Sequence, residues 1–232
     1  MRSHTVHAVI AVKSLDRAKS RLADRLPPRA RARLVLAMLT DTVRAASAVP
    51  QIVSVTVVTP DQEVAEVAVR LGAAVHPEPI VDPGEPGDPD GLNAALRAAA
   101  DGLRQRHGPA DLLALQADLP ALRSAELAEM LATAPADARS VVVDHAGRGT
   151  AALLARAATH ALDPRFGPDS ARRHIAAGAV RLDGDWPGLR LDVDTAADLD
   201  RAIALGTGAA TRAVLCDIGW QGRVHEPVPH VC

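Results

Sequence analysis

Residues 112–120 read LLALQADLP, in which an apolar run leads directly into Asp118 and a Leu-Pro pair. A nearly continuous apolar run is typical of a central strand that is covered on both faces, as in parallel sheets. Further runs predict four more strands, at residues 6–12 (VHAVIAV), 52–58 (IVSVTVV), 73–75 (AAV) and 140–143 (SVVV). We therefore expect one sheet, with Asp118 at the end of an inner strand.

Segments rich in Ala, Leu and Arg separate these runs, and their apolar residues have helical spacing. Pro28 suits a first helical turn, Gly72 a helix end, and Ser124 an N-cap. The predicted helices cover residues 28–48, 61–71, 91–105 and 124–133. Alternating strands and helices predict an α/β fold, a single mostly parallel sheet flanked by helices. Ligands of such sheets bind outside the carboxyl ends of the strands, so the loops there are the candidate sites.

The composition of the 232-residue chain is globular, with 48% hydrophobic and 23% charged residues. A formal net charge of −2 and only three aromatic residues (Phe166, Trp186 and Trp220) predict no nucleic-acid partner. Two cysteines and the lack of a long apolar run predict a cytoplasmic protein with no membrane partner. Because so few aromatics are available for packing, a homodimer is one option for the oligomeric state.

Carboxylates at two places are candidates for holding a divalent cation. Asp118 follows an apolar strand, although strand ends also carry Asp as a turn former. Asp192 and Asp194 flank Val193, so both side chains point to one side if the segment is extended. One of this pair could complete a two-carboxylate Mg²⁺ site with Asp118 while the other binds loop amides; alternatively, both serve the start of the next helix.

The residues around this aspartate pair predict a strand followed by a helix. Leu189-Arg190-Leu191 has the pattern of a strand. Thr195 then suits the N-cap of a helix, with Asp198 at the position that completes a capping box.

Four cations, Lys13, Arg17, Lys19 and Arg21, follow the first predicted strand. Such a cluster at a strand end suits a polyphosphate, since ammonium and guanidinium groups are its usual donors. The alternative is a solvated basic turn. The sequence contains neither a G-x-G-x-x-G nor a G-x-x-x-x-G-K-[ST] motif, so neither a dinucleotide-binding fold nor a P-loop is predicted.

Two glycine-containing segments are candidate anion sites. Residues 147–150 (GRGT) lie between two apolar runs and are either a hairpin turn or a loop in which Thr150 donates to an oxyanion. Residues 166–170 (FGPDS) bring Ser170 to a helix N-terminus, where free amides favour a phosphate or carboxylate. The Arg-His pair at 173–174 belongs to this helix, either on its surface or satisfied locally.

The end of the chain has a different character. Beyond Thr211 the sequence becomes irregular, which predicts a domain over 1–212 and a C-terminal tail over 213–232. A metal site on this tail is a minor alternative, with Cys216, His225, His230 and Cys232 as ligands. Residues 82–90, rich in Gly, Pro and acids, predict a loop.

Six motifs occur in a fixed order: 12–22 (VKSLDRAKSRL), 91–96 (GLNAAL), 117–122 (ADLPAL), 149–150 (GT), 166–170 (FGPDS) and 188–195 (GLRLDVDT). Over residues 6–212 the chain resembles the phosphoenolpyruvate / 2-phospho-L-lactate guanylyltransferases of deazaflavin coenzyme F-420 biosynthesis. The resemblance implies a nucleotidyltransferase-type domain similar to nucleotide-diphospho-sugar transferases. It also implies transfer of GMP from GTP to phosphoenolpyruvate, which gives enolpyruvoyl-2-diphospho-5′-guanosine and pyrophosphate.

The resemblance further implies roles for individual residues. Asp118 and Asp192 would hold Mg²⁺ and, with Lys19, would be the catalytic residues. The positions implied for phosphoenolpyruvate are Thr150, Gly167 and Ser170, and those for the nucleotide are Lys13, Lys19, Arg21 and Asn93. Arg148 departs from the Thr expected at its position in relatives, which leaves the first half of that loop without an assigned role.

Two alternative functions stay open at this point. The acceptor could be 2-phospho-L-lactate or another phosphorylated three-carbon acid, which shares the phosphate and carboxylate of phosphoenolpyruvate. The chain could also be a nucleotide-binding module without catalytic activity. Loss of either metal aspartate would favour that module, and both positions are Asp here.

Overall fold

In the computed structural model, which describes residues 5–15, 19–77, 91–156 and 161–220, seven strands form one sheet. They are β1 (Val6–Ala11), β2 (Ile52–Thr59), β3 (Ala74–Pro77), β4 (Asp111–Leu115), β5 (Arg139–Val143), β6 (Thr150–Ala155) and β7 (Val180–Arg181). Their order across the sheet is β3-β2-β1-β4-β6-β5-β7. Neighbours are parallel except that β6 runs antiparallel to β4 and β5. The predicted mostly parallel sheet is confirmed.

The helices in the described ranges follow the alternation of the sequence. They are α1 (Pro28–Ser47), α2 (Gln62–Arg70), α3 (Leu92–His107), α4 (Ser124–Thr133), α5 (Ser170–Ala176), α6 (Pro187–Arg190), α7 (Ala196–Leu205) and α8 (Ala209–Asp217). A 3-10 turn, Ser20–Leu22, lies between β1 and α1. None of the described helices has both the length and the apolarity to cross a membrane.

Helices cover both faces of the sheet because its inner strands are apolar on both sides. In β1, Ala8 and Ile10 pack into one buried cluster, which includes residues of α1, and Val9 packs into a second cluster with α3. In β4, Leu113 joins the first cluster and Leu112 the second. Burying each Leu, Ile or Val side chain stabilises the fold by roughly 1.5–3 kcal/mol. The two clusters hold the sheet rigidly between helical layers.

The reversed direction of β6 determines which of its ends lies near the candidate site. Because β6 is antiparallel, its first residue, Thr150, lies at the edge where the parallel strands end. Gln116, just after β4, donates from its side chain to the Thr150 carbonyl at 3.1 Å and from its backbone to the Ala151 carbonyl at 3.1 Å. The hairpin between β5 and β6 therefore lies beside the loop that carries Asp118.

The strand predicted over residues 189–191 is wrong, because Leu189 and Arg190 belong to the short helix α6. Pro187 occupies its first turn, where a missing N–H costs nothing. Glu126 of α4 accepts hydrogen bonds from the Gly188 and Leu189 amides at 3.2 and 2.8 Å. A carboxylate at these free amides stabilises the helical turn. This contact joins residues far apart in the chain, so the local apolar pattern could not reveal it.

The start of α4 also differs from the prediction. Ser124 is the first residue of the helix, and Arg123 occupies the N-cap position without a side-chain hydrogen bond to the helix amides. The helix itself extends to Thr133, as predicted.

The irregular chain predicted directly beyond Thr211 is wrong as far as Asp217, because α8 continues to that residue. Asp41 of α1 accepts hydrogen bonds from the Ala210 and Thr211 amides at 3.1 and 2.8 Å, which fixes the start of α8. The predicted boundary at residue 212 falls inside this helix. Residues outside the described ranges include Arg17, the loop 82–90, and His225, His230 and Cys232.

Candidate functional site

The loop that follows β4 is held from two sides, and this fixes Asp118. The Thr42 hydroxyl of α1 shares its one proton between the Met38 and Ala117 carbonyls, at 2.9 and 3.2 Å, and accepts from the Leu119 amide at 3.2 Å. The Asp118 carbonyl accepts a hydrogen bond from the Val193 amide at 3.1 Å. This last bond joins the two segments that carry the predicted metal ligands, so Asp118 and Asp192 lie at one site.

Negative charge is concentrated there. Burial, together with the nearby carboxylates of Asp118, Asp194 and Asp144, raises the pKa of Asp192 to about 7. Among the described residues, Asp118 Oδ1 and Asp192 Oδ1 are buried atoms that find no hydrogen-bond partner. Buried carboxylate oxygens without partners are costly unless a cation or donor satisfies them. The donor set therefore fits a hard divalent cation.

Lys19 partly neutralises this cluster. Its ammonium group is hydrogen-bonded to Asp118 Oδ2 and lies 2.9 Å from Asp194 Oδ1. Burial alone would lower the pKa of Lys19, but the charges of Asp118 and Asp194 outweigh it and raise the pKa above its usual value. Lys19 has a left-handed backbone, with φ 51°, which is uncommon outside glycine. Lys19, one of the cations that follow β1, thus lies against Asp118 and Asp194.

Among the residues that the structure describes, no loop amide donates to the Asp194 side chain, which is the structural role considered for one member of the aspartate pair. Its side chain is half exposed and pairs with Lys19 at 2.9 Å and with Arg21 at 3.6 Å. Asp198 takes the amide-binding role, since its Oδ2 accepts from the Asp194 and Thr195 amides at 3.3 and 2.8 Å. The predicted capping box of Thr195 and Asp198 is confirmed. Burial opposes the effect, but hydrogen bonds from Thr195 lower the pKa of Asp198.

His145 lies between the metal candidates and this capping box. Its Nε2 is 3.0 Å from Asp198 Oδ1, and its Nδ1 is 3.4 Å from Asp192 Oδ1. The His145 amide donates to the Arg190 carbonyl at 2.7 Å, which sets the position of the ring. His145 is therefore hydrogen-bonded to Asp198 and lies close to Asp192 without a hydrogen bond to it.

The glycine segment 147–150 is a hairpin turn that also closes the site. Asp144 accepts hydrogen bonds from the Arg148 and Gly149 amides at 2.9 and 2.8 Å. A Cβ at Gly149 would lie 2.3 Å from Asp144 Oδ2, so only glycine fits. The Arg148 carbonyl accepts from the Ala171 amide at 3.1 Å, which joins the hairpin to α5.

Thr150 and Ser170, two of the predicted acceptor residues, meet across this junction. The Ser170 hydroxyl donates to Thr150 Oγ1 at 3.0 Å, and His174 Nδ1 lies 3.0 Å from the same oxygen. Gly167, the third, has φ +119°, and a Cβ there would lie 2.8 Å from the Arg173 guanidinium. The structure therefore brings all three predicted residues to one corner of the site, with α5 behind them.

Asn93, predicted to lie near the nucleotide, is buried at the start of α3. Its amide group donates to the Phe166 carbonyl at 3.1 Å and accepts from the Phe166 amide at 2.6 Å. These hydrogen bonds hold the segment 166–170 against α3. Lys13 is partly buried just beyond β1, and Arg21 is exposed near Asp194. Nucleotide binding by these three residues stays a prediction.

Sequence reasoning did not assign site roles to Thr42, Asp144, His145 or His174. Thr42 lies on a helix 75 residues before the carbonyl it binds, so no local signal points to it. Asp144 and His145 follow an apolar run directly, as Asp118 does, and lie in one of the strand-end loops that the sequence predicts as candidate sites, but no role was assigned to them there.

A protein-family comparison decides the relationship of the chain. The model of the family described as "Guanylyl transferase CofC like" matches residues 6–228. The chain belongs to this family. Among curated relatives, a phosphoenolpyruvate guanylyltransferase of Nocardia farcinica is 67% identical, over 100% of both chains. A protein of the same name from Rhodococcus erythropolis is 54% identical, over 90% of this chain and 95% of the relative.

Solved structures with low sequence identity have the same fold. A protein from Desulfovibrio desulfuricans, assigned to the nucleotide-diphospho-sugar transferases, is 15% identical with a TM-score of 0.68, over 92% of this chain and 95% of that one. A 4-diphosphocytidyl-2C-methyl-D-erythritol synthase is 14% identical with a TM-score of 0.55, over 87% and 99%. The predicted nucleotidyltransferase-type fold is confirmed.

Proposed function

We propose that this CofC-family chain transfers GMP from GTP to phosphoenolpyruvate, giving enolpyruvoyl-2-diphospho-5′-guanosine and pyrophosphate in coenzyme F-420 biosynthesis. The observation that carries the proposal is the pair of buried, unpartnered oxygens of Asp118 and Asp192. They lie at the edge of the sheet where Thr150 and Ser170 also stand. The names of the relatives support the choice of acceptor.

Asp118 and Asp192 are the residues that would hold Mg²⁺. Within the described ranges no group of three or more His, Cys, Asp or Glu side chains converges as a complete metal site. Two carboxylates suffice for Mg²⁺, which usually keeps waters and takes substrate phosphates as its other ligands. When bound, the ion would neutralise phosphate charge that developed during the transfer.

The reaction forms one bond and breaks one. An oxygen of the acceptor phosphate attacks the α-phosphorus of GTP, and the bond from that phosphorus to the α–β bridging oxygen breaks, so that pyrophosphate leaves with the electron pair. The second pKa of a phosphate monoester is about 6, so the acceptor needs no protein base near neutral pH. Catalysis then consists of positioning and charge neutralisation, which we assign to Lys19 with Lys13 and Arg21 on the triphosphate.

The acceptor binds on the other side of the site, at Thr150, Gly167 and Ser170. Ser170 is the first residue of α5, and the amides of Ser170 and Ala171 already donate to the Gly167 and Arg148 carbonyls at 3.2 and 3.1 Å. Gly167 keeps the preceding turn free of a side chain next to Arg173. We expect the acid's anionic oxygens to bind the hydroxyl groups of Thr150 and Ser170.

A matrix of nucleotides and acceptors tests the proposal. The full chain is incubated with Mg²⁺, GTP or ATP, and phosphoenolpyruvate or 2-phospho-L-lactate, and pyrophosphate release is followed. We expect the highest kcat/KM for GTP with phosphoenolpyruvate. A preference for phospholactate would replace the acceptor in this proposal, and GTP binding by calorimetry without pyrophosphate release under any acceptor would indicate a non-catalytic module.

Replacing a proposed metal ligand should stop turnover without unfolding the protein. Asp118→Ala removes a carboxylate at a strand end, outside the apolar core, so we expect kcat to fall by at least about a hundredfold. Because Asp118 also pairs with the buried Lys19, we expect the Tm to fall by several degrees while the protein stays folded. Asp183→Ala is the matched control, since Asp183 follows the outer strand β7 and is 72% exposed. Full activity in Asp118→Ala would refute the assignment.

Cytoplasmic location is part of the same proposal.

A further inference from the structure

A buried chain of hydrogen bonds runs behind the proposed acceptor site. The Arg165 amide donates to His174 Nε2 at 2.8 Å, His174 Nδ1 lies 3.0 Å from Thr150 Oγ1, and the Ser170 hydroxyl lies 3.0 Å from that oxygen. We infer that His174 is a positioning residue that makes the Thr150–Ser170 hydroxyl pair present a hydrogen-bond donor to the acceptor acid. This inference rests on the proposed function.

The backbone fixes the tautomer of His174. An amide can only donate, so Nε2, which receives the Arg165 N–H, must be unprotonated. A neutral imidazole then carries its single proton on Nδ1. The ring therefore donates to Thr150 Oγ1 rather than accepting from it.

Counting protons shows why the tautomer matters. When Nδ1–H donates to Thr150, the hydroxyl groups of Thr150 and Ser170 carry two protons. Only one of these protons is needed for the hydrogen bond between the two groups. One hydroxyl proton is left over for an outside acceptor. With the opposite tautomer, Thr150 would donate to His174 and Ser170 to Thr150, and no proton would remain. A donor is what the anionic oxygens of a phosphorylated acid require.

The surroundings of the ring keep it neutral and in place. Burial, then the charges of Arg173, Arg165 and Arg139, outweigh the opposing charge of Asp163 and lower the pKa of His174 to about 4. Phe166 packs its ring against the imidazole edge to face, with centroids 5.2 Å apart.

The side chain of His174 is thus part of the packed interior. At 1% exposed, the residue is as buried as Thr150 (1%) and Ser170 (2%). Its two ring nitrogens contact Thr150 Oγ1 and the Arg165 amide, so we expect it to act on the acceptor only through the Thr150–Ser170 pair.

Two amide substitutions separate this role from a merely structural one. His174→Asn places an amide near the Nδ1 position, where it can still donate to Thr150. His174→Gln places one near Nε2, where it can accept from the Arg165 amide but does not reach Thr150. We expect the KM for phosphoenolpyruvate to rise at least about tenfold in His174→Gln, the loss for one hydrogen bond to a charged group, and to change less than about threefold in His174→Asn. The KM for GTP should stay unchanged in both.

The opposite order, with His174→Asn impaired and His174→Gln near wild type, would overturn the inference and indicate that His174 only holds the Arg165 backbone. Equal effects in both variants would overturn it as well. A second measurement tests the inference even if one of the two variants folds poorly. In a Thr150→Val background, which lacks the hydroxyl that His174 acts through, His174→Gln should add less than about a twofold change in KM. A further tenfold loss there would contradict the proposed relay.

The wild-type protein separates this inference from the proposed function. Phosphoenolpyruvate binding is measured by calorimetry alongside pyrophosphate release from GTP. Binding and turnover in the wild type with the wrong order of variants overturn only the role of His174. Binding without turnover overturns the transferase proposal, while the dissociation constants of the two variants still test His174. If the wild-type protein does not bind phosphoenolpyruvate, both are overturned.

Discussion

Lys19→Met tests how much the carboxylate cluster depends on its buried cation. Methionine fills much of the same volume but removes the ammonium group between Asp118 and Asp194. The substitution leaves the negative charges of Asp118 and Asp194 beside Asp192 without the neutralising charge of Lys19. We expect a loss of stability, and a fall in kcat because the proposed phosphate contact disappears as well.

The structure sets the expected size of the effect. Removing one partner of a buried ion pair costs about 3–5 kcal/mol. The side chains of Lys19 and Asp118 are 11% and 18% exposed, but that of Asp194 is 49% exposed, so solvent screens part of the interaction. We therefore expect about 2–3 kcal/mol, which lowers the Tm of a domain of this size by roughly 5–10 °C.

Arg21→Met is the matched control. Arg21 lies 3.6 Å from the same Asp194 carboxylate, but its side chain is 72% exposed. An exposed pair contributes about 0–1 kcal/mol, so its loss should shift the Tm by no more than about 3 °C.

Thermal unfolding is followed for both variants and the wild type, with and without Mg²⁺. Because Lys19→Met has the more negative site, Mg²⁺ should raise its Tm by more than that of the wild type. Equal stability of Lys19→Met and Arg21→Met, or no gain from Mg²⁺ in Lys19→Met, would refute the reasoning.

The remaining predictions concern stability away from the metal site. Arg156→Met removes a buried guanidinium that lies 2.7 Å from Asp111 Oδ2 and also donates to backbone carbonyls, so we expect urea denaturation to show a loss of about 3–5 kcal/mol. Adding Asp111→Leu should recover part of that loss, and a larger loss in the double variant would contradict this. The pKa of His174 is lowered from 6.5 to about 4, so its contribution to stability is present above pH 6.5 and is lost as the pH falls toward 4. Relative to His174→Asn, the wild type should lose at most about 3 kcal/mol over that range, and parallel pH curves would disprove the shift.

The strand ends were the part of the site that the sequence predicted well. Asp118 follows an apolar run whose burial on both faces determines its strand, and this local signal places its side chain at the ligand-binding edge. The capping box of Thr195 and Asp198 is equally local, with a spacing of three residues, and it was predicted correctly. Features that depend on residues close together in the sequence could therefore be predicted.

Features that depend on contacts between distant segments could not be predicted from the sequence. Lys19 was expected to contact phosphate alone, and its contact with Asp118 crosses 99 residues of sequence. The local sequence pattern predicts a strand where α6 forms. It misses the helix because Glu126, which stabilises the first turn of α6, is 62 residues away from Gly188. The tautomer of His174 depends on a backbone amide that no residue pattern specifies.

The antiparallel strand β6 goes with a sheet whose two halves have different roles in the proposed reaction. On one side of β4 lie the parallel strands β1, β2 and β3, and β1 precedes Lys13, Lys19 and Arg21, which face the triphosphate in the proposed reaction. On the other side, β5 and β6 form a hairpin, and in the proposed reaction its turn and Thr150, the first residue of β6, face the small acid. An engineer who wished to change the acid could therefore vary the hairpin and α5 while leaving the nucleotide half of the enzyme untouched.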